Sequence, residues 1–219
     1  MMSIVLSLYA LCVFALLMAE LRGQMTAQYI SKTLAGLGFL SIAVLSGAMD
    51  SIYGQLILAA LVFSFIGDLC LLQRGTGRAF LAGMAAFAAA HIVYIFALAQ
   101  WGFEPWWLWT FLPAVLIGLA AYIIMKTDIP GKLQAGTLLY SVVIALMGAF
   151  AILATRSSGH GLFVIAAACF ILSDIFVSRH RFKPVAKQTL LAGPRNYLVI
   201  TPFYFFAQVL FALSVGLAV

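Results

Sequence analysis

Two carboxylates set inside long apolar stretches are the residues of this chain most able to do chemistry. Asp68 lies in Phe63-Ser64-Phe65-Ile66-Gly67-Asp68-Leu69-Cys70-Leu71-Leu72, and no charged residue separates it from Asp50. Asp174 lies in a stretch of the same form, Phe170-Ile171-Leu172-Ser173-Asp174-Ile175-Phe176-Val177. A basic residue closes each stretch, Arg74 and Arg179 respectively. An ionisable group within a membrane span is costly to keep and marks a functional site by default. Two acids at one depth in an apolar cavity titrate as a coupled pair. One protonated and one ionised member suit a reaction that needs an acid and a carboxylate together.

The elements around them carry further polar groups. Phe87, His91 and Tyr94 share one helical face. Tyr197, Thr201, Tyr204 and Gln208 form a polar stripe on an otherwise apolar helix, the kind of stripe that faces a bundle interior. Tyr140 and Ser141 add hydroxyls, and Pro202 should kink the last helix beside the stripe. His91, Asp68 and Asp174 are on paper a three-ligand zinc set, but the other histidines, His160 and His180, fall in loops on opposite sides. The preferred reading is therefore metal-free and without a cofactor. Each polar group also has a plainer reading as a satisfied buried residue. Lys32, read at the start of helix 2, is an orientation charge or a phosphate contact in the headgroup zone. Glu20, Asp50, Glu104 and Asp128 fall at span ends or in loops and read as solvated. There is no GxxxxGK[ST], GxSxG or HExxH motif, and Gly75-Thr76-Gly77 signals only a turn.

Composition fixes the setting. The chain has 219 residues, 65% hydrophobic and 8% charged, with a mean hydropathy of +1.14, against roughly 25% charged residues in soluble domains. A span takes about 20 apolar residues, so the chain predicts an all-α, polytopic transmembrane bundle forming a single transmembrane domain over 1–219. The eight helices fall near 3–21, 32–48, 53–73, 79–100, 107–126, 133–155, 160–178 and 196–218. The runs are continuous and do not alternate as barrel strands do. The first has no basic leader and no small-residue cleavage site, so it is expected to be a retained helix. Cys12, Cys70 and Cys169 lie in apolar runs and read as core.

The net charge of +6 belongs to orientation and not to nucleic acid. Of twelve Lys and Arg residues, only Arg156 falls on the side away from the loops after helices 1, 3, 5 and 7. By the positive-inside rule those loops are cytoplasmic and both termini face outward. Trp101, Phe103, Trp106, Trp107 and Trp109 read as an outer interfacial belt. Asp68 then sits roughly 6–9 Å from the cytoplasmic end of its helix. Asp174 sits at similar depth on a helix running the same way, so the two can face each other. The basic segment 179–195 is expected along the cytoplasmic interface.

In order and spacing, the chain resembles the YhhN family of membrane proteins, which includes the lysoplasmalogenases. The matching residues are Lys32, then Phe63-Ser64 with Gly67-Asp68, then Gly83, Phe87, His91 and Tyr94. Tyr140, Met147, Phe170, Ser173 and Asp174 follow, and Tyr204 with Ala207-Gln208 completes the set. One departure is Thr33, where the family often has proline. The resemblance implies an eight-helix enzyme of a bacterial inner membrane that hydrolyses the vinyl ether bond of a lysophospholipid, with its active site near the cytoplasmic leaflet. On that reading Asp68 and Asp174 are catalytic. Lys32, Ser64, His91, Tyr94, Tyr140, Ser173, Tyr204 and Gln208 contact the substrate, with Phe87 and Phe170 near its tail. Three alternatives stand beside it: a zinc-using hydrolase of another lipid, a proton-coupled transporter or flippase, and a structural subunit.

Overall fold

Eight helices, each long and apolar enough to cross a membrane, account for most of the chain in a computed structural model that describes residues 1–73, 76–102, 107–188 and 191–218. They are α1 (Met2–Arg22), α2 (Met25–Leu45), α3 (Ile52–Leu71), α4 (Arg78–Ala99), α5 (Trp107–Met125), α6 (Gly131–Ser158), α7 (Leu162–Phe182) and α8 (Tyr197–Ser214). No strand occurs among the described residues. This is the solution hydrocarbon imposes, since each backbone N–H and C=O must be satisfied inside its own segment. Large apolar side chains such as Ile4, Leu8, Phe14, Ile117 and Ile124 point outward, as they would toward lipid. Arg74, Gly75, Phe103, Glu104 and Trp106 lie outside the described residues.

Sequential helices pair as antiparallel hairpins, and α8 runs through the middle, packed against α1, α2, α3 and α7. Three residues of its stripe face inward as expected, Thr201, Tyr204 and Gln208 being buried, while Tyr197 at the start of the helix is half-buried. Pro202 lies within this helix. At the periphery α5 packs on α6, with Gly118 as its one buried described residue. A Cβ at Gly118 would lie 2.8 Å from the Ser141 carbonyl oxygen, so only glycine permits that approach.

Two boundaries depart from the sequence reading, and both matter for the site. Helix α2 begins at Met25 instead of near residue 32. Gly23 closes α1 with φ 68°, and the Gln24 N–H returns to the Ala19 carbonyl at 2.9 Å. A left-handed glycine just past the last turn ends a helix in very few residues. The turn therefore occupies only Gly23 and Gln24, and Gln28 straps it by donating from Nε2 to the Ala19 carbonyl. Lys32 consequently sits inside α2, roughly 10 Å along its axis at 1.5 Å per residue, and is not a loop charge. Helix α7 runs on to Phe182, one turn farther than expected. Arg179, His180 and Arg181 occupy its last turn, where cations suit the negative end of the helix dipole. His180 is thus a helical residue. Cys12 and Cys70 are half-buried and Cys169 is buried, all as free thiols.

Candidate active site

Lys32 from α2, Asp68 from α3 and Tyr204 from α8 meet in one cluster. Lys32 Nζ lies 3.0 Å from Asp68 Oδ1, with the side chains 15% and 3% exposed. The Tyr204 hydroxyl donates to Asp68 Oδ2 at 2.5 Å. A buried carboxylate is tolerable only when paired and hydrogen-bonded. Asp68 has both kinds of partner, one on each oxygen.

Asp174 is held differently. The Tyr140 hydroxyl of α6 donates to its Oδ2, and no cation bridges it among the described residues. It is also less enclosed than Asp68. The neighbouring Ser173 hydroxyl donates to the Ile200 carbonyl at 3.1 Å, two residues before Pro202, and so fastens α7 to α8. Asp68 and Asp174 do not hydrogen-bond to each other, yet both line one cavity of about 550 Å³. Lys32, Tyr140, Ser173 and Tyr204 line it too.

The other four candidates stand behind that wall. Ser64, His91, Tyr94 and Gln208 are fully buried and do not line the cavity. Tyr94 donates to Gln208 Oε1 at 2.7 Å, tying α4 to α8. His91 Nδ1 lies 2.5 Å from the Phe87 carbonyl of its own helix, and its ring packs edge-on against Tyr140 and Phe170. These residues hold the rings that carry the polar hydroxyls. Phe87, Phe170 and Tyr204 form a mutual edge-to-face cluster, with Phe170 fully buried. Gly67 makes room for it, since a Cβ there would meet the Phe87 ring at 2.7 Å.

The cavity also contains groups that sequence reasoning did not assign to it. Glu20, read as solvated, is buried on α1 and accepts a hydrogen bond from Thr201. Helical spacing held the signal: Tyr9, Leu16 and Glu20 lie on one face, and all are buried. At the mouth, Arg181 Nη2 donates to the Leu71 carbonyl at 2.7 Å, closing the end of α3 onto α7. His180 and Arg181 both line the cavity. Among the described residues no three His, Cys, Asp or Glu side chains gather as a metal set, so His91, Asp68 and Asp174 do not form the zinc site considered above.

Comparison with known proteins agrees with the resemblance drawn from the motifs. The model of the YhhN family matches residues 27–215. The chain belongs to the YhhN family. The YhhN match takes in Lys32, Asp68, Tyr140, Asp174 and Tyr204, while Glu20 precedes it. Among relatives, Lysoplasmalogenase TMEM86B of Sus scrofa is 34% identical over 179 residues, covering 81% of this chain and 71% of that protein. Lysoplasmalogenase TMEM86B of Homo sapiens is 32% identical over 177 residues, covering 81% and 69%. The protein of the same name from Rattus norvegicus is 28% identical over 162 residues, covering 74% and 62%. No solved structure matches the chain.

Proposed function

We propose that this YhhN protein is an intramembrane hydrolase that cleaves the vinyl ether bond of a lysoplasmalogen, releasing a fatty aldehyde and a glycerophospho-alcohol. The observation that carries the reading is the pair of carboxylates lining one cavity, one balanced by a lysine and the other with no cation bridging it among the described residues. The relatives named lysoplasmalogenase support the substrate class.

The chemistry divides between the two acids. Asp174, with a phenol beside it and no cation among the described residues, is the general acid. It protonates the enol ether carbon two bonds from oxygen, and the C=C pair moves to give an oxocarbenium ion. Asp68, whose negative charge Lys32 and Tyr204 hold in place, faces that cation across the cavity. Electrostatic stabilisation of charge that develops in a water-poor site is a large catalytic term, and a positioned general acid contributes about 10²–10⁴-fold. Water adds to the oxocarbenium carbon and returns a proton to the Asp174 carboxylate. The hemiacetal then collapses to aldehyde and alcohol. Proton and water balance across the cycle, and no serine nucleophile or redox partner is needed.

Lys32 is committed to Asp68, so the phosphate of the headgroup falls to the mouth, where the Arg181 guanidinium lines the cavity beside His180. A guanidinium suits a phosphate through its fork of donors. On the positive-inside rule that mouth faces the cytoplasm, in this reading at the inner membrane of a bacterium.

The test is aldehyde release by purified protein in detergent. Lysoplasmenylethanolamine is the substrate and an ester-linked lysophospholipid the control. Aldehyde from the vinyl ether lipid alone is the expected result. No aldehyde from folded protein contradicts the reading, and transport across sealed vesicles without product would then favour a proton-coupled carrier.

A further inference from the structure

The space beside Asp174 does not end at the carboxylate. A second cavity of about 490 Å³ lies against α5, α6 and α7. Thr137, Tyr140, Asp174 and Ser178 line both cavities, so the two meet at the Tyr140–Asp174 hydrogen bond. Their walls differ in kind. The first presents Glu20, Lys32, Asp68, His180 and Arg181. The second has no charged lining residue except Asp174 among the described residues. Two of its hydroxyls are turned back to the helix that bears them: Thr137 donates to the Leu133 carbonyl and Ser141 to the Thr137 carbonyl. Small residues open the slot from both sides, Ala121 on α5 and Ala168 on α7. At its rim Ile117, Ile152 and Ile175 are exposed, which in a bilayer means exposed to acyl chains.

We propose that this second cavity holds the hydrocarbon chain of the substrate, which enters from the bilayer between α5 and α7 and leads its first carbons past Asp174. The proposal rests on the lysolipid reading above. Several observations favour a lipid chain as the occupant. The slot is apolar, it opens toward lipid, and it abuts, across the shared Thr137, Tyr140, Asp174 and Ser178, a polar cavity large enough for a headgroup. Both volumes fall within the roughly 300–1,000 Å³ of ordinary ligand sites. A vinyl ether bond lies where a lipid changes from chain to glycerol, and Asp174 lies where the protein changes from apolar slot to polar cavity. A chain leaving lipid for an apolar slot gains little from the hydrophobic effect, so the slot acts by orientation. It holds the double bond beside the acid, the arrangement from which positioned reactants gain rate. It also replaces the tail position first considered, since the rings of Phe87 and Phe170 pack against each other and Phe170 lines neither cavity.

The first test does not depend on turnover. A saturated-ether lysophosphoethanolamine carrying a photoactivatable diazirine midway along its chain is crosslinked to the full protein, and the adducts are mapped. Adducts on α5, α6 and α7 along the slot are expected. Adducts confined to α3 and α4, or spread evenly over the outward faces, overturn the proposal. The second test fills the slot. Ala168→Trp, or Ala121→Trp from the opposite wall, lowers aldehyde release from a long-chain relative to a short-chain alkenyl lysolipid by on the order of tenfold or more. The same substitution at outward-facing Ile124 leaves that ratio unchanged. An unaltered ratio in both slot variants also overturns the proposal. Absence of aldehyde from the parent protein contradicts the hydrolase reading instead, and the adduct map still decides where the chain lies.

Discussion

Asp68 and Asp174 are alike in sequence and unlike in setting. Both sit in apolar runs on helices of the same direction, and each accepts a hydrogen bond from a tyrosine. Asp68 also has Lys32 at 3.0 Å and is almost completely enclosed. Asp174 has Tyr140 as its one hydrogen-bond donor among the described residues and stands where two cavities meet. A charge with its counterion is fixed in one place, and a carboxyl without one is free to hold and pass a proton. The difference supports the two proposed roles for what reads in sequence as a symmetric pair.

The sharpest break of this comparison is removal of the proposed proton donor. Asp174→Asn keeps the size and the Tyr140 contact, and aldehyde release should fall by about 10²–10⁴-fold with little change in thermal stability in detergent. Asp68→Asn should cost activity too, with a different signature. It leaves Lys32 buried without its partner, and breaking a buried pair from one side costs about 3–5 kcal/mol. Unfolding in detergent should therefore show a marked loss of stability for Asp68→Asn. The combined Lys32→Met and Asp68→Asn protein should regain much of that stability without regaining activity. Equal losses of stability at the two aspartates would break the assignment.

The tyrosines sharpen it further. Tyr140→Phe removes the one hydrogen bond Asp174 receives among the described residues, whereas Tyr204→Phe leaves Asp68 its lysine. A hydrogen bond to a charged group is worth about 1.5–3 kcal/mol, so Tyr140→Phe should lower kcat on the order of tenfold or more, and Tyr204→Phe should lower it less. The smallest effect is expected at Glu20→Gln. The amide oxygen can still accept from Thr201, so the contact is kept as a neutral hydrogen bond of about 0.5–1.5 kcal/mol, and kcat should stay within about threefold of the parent.

Much of this was legible in the sequence because it depends on spacing along single helices. The eight spans, the inward stripe of α8 and the buried face of α4 all follow from a period of 3.6 residues. The site was less legible because it depends on turns and on lateral contacts. Lys32 looked like an interfacial charge until Gly23 ended α1 so abruptly that α2 began two residues later. That shift carried the lysine inward and made it the counterion of Asp68. Glu20 stands close to the same turn and reads as a span-end charge unless its helical face is traced back to Leu16 and Tyr9. The partner of Asp174 comes from α6 and the opening beside it from the gap between α5 and α7. No periodicity within one helix reports on either.

The measurement that bears most directly on this division of roles is aldehyde release by the Asp174→Asn protein beside the parent, both shown to be folded in the same detergent. The proposed mechanism predicts a parent that converts lysoplasmenylethanolamine and a variant that does not. Turnover by the Asp174→Asn protein at the parent's rate would remove the proton donor from the mechanism and contradict the account.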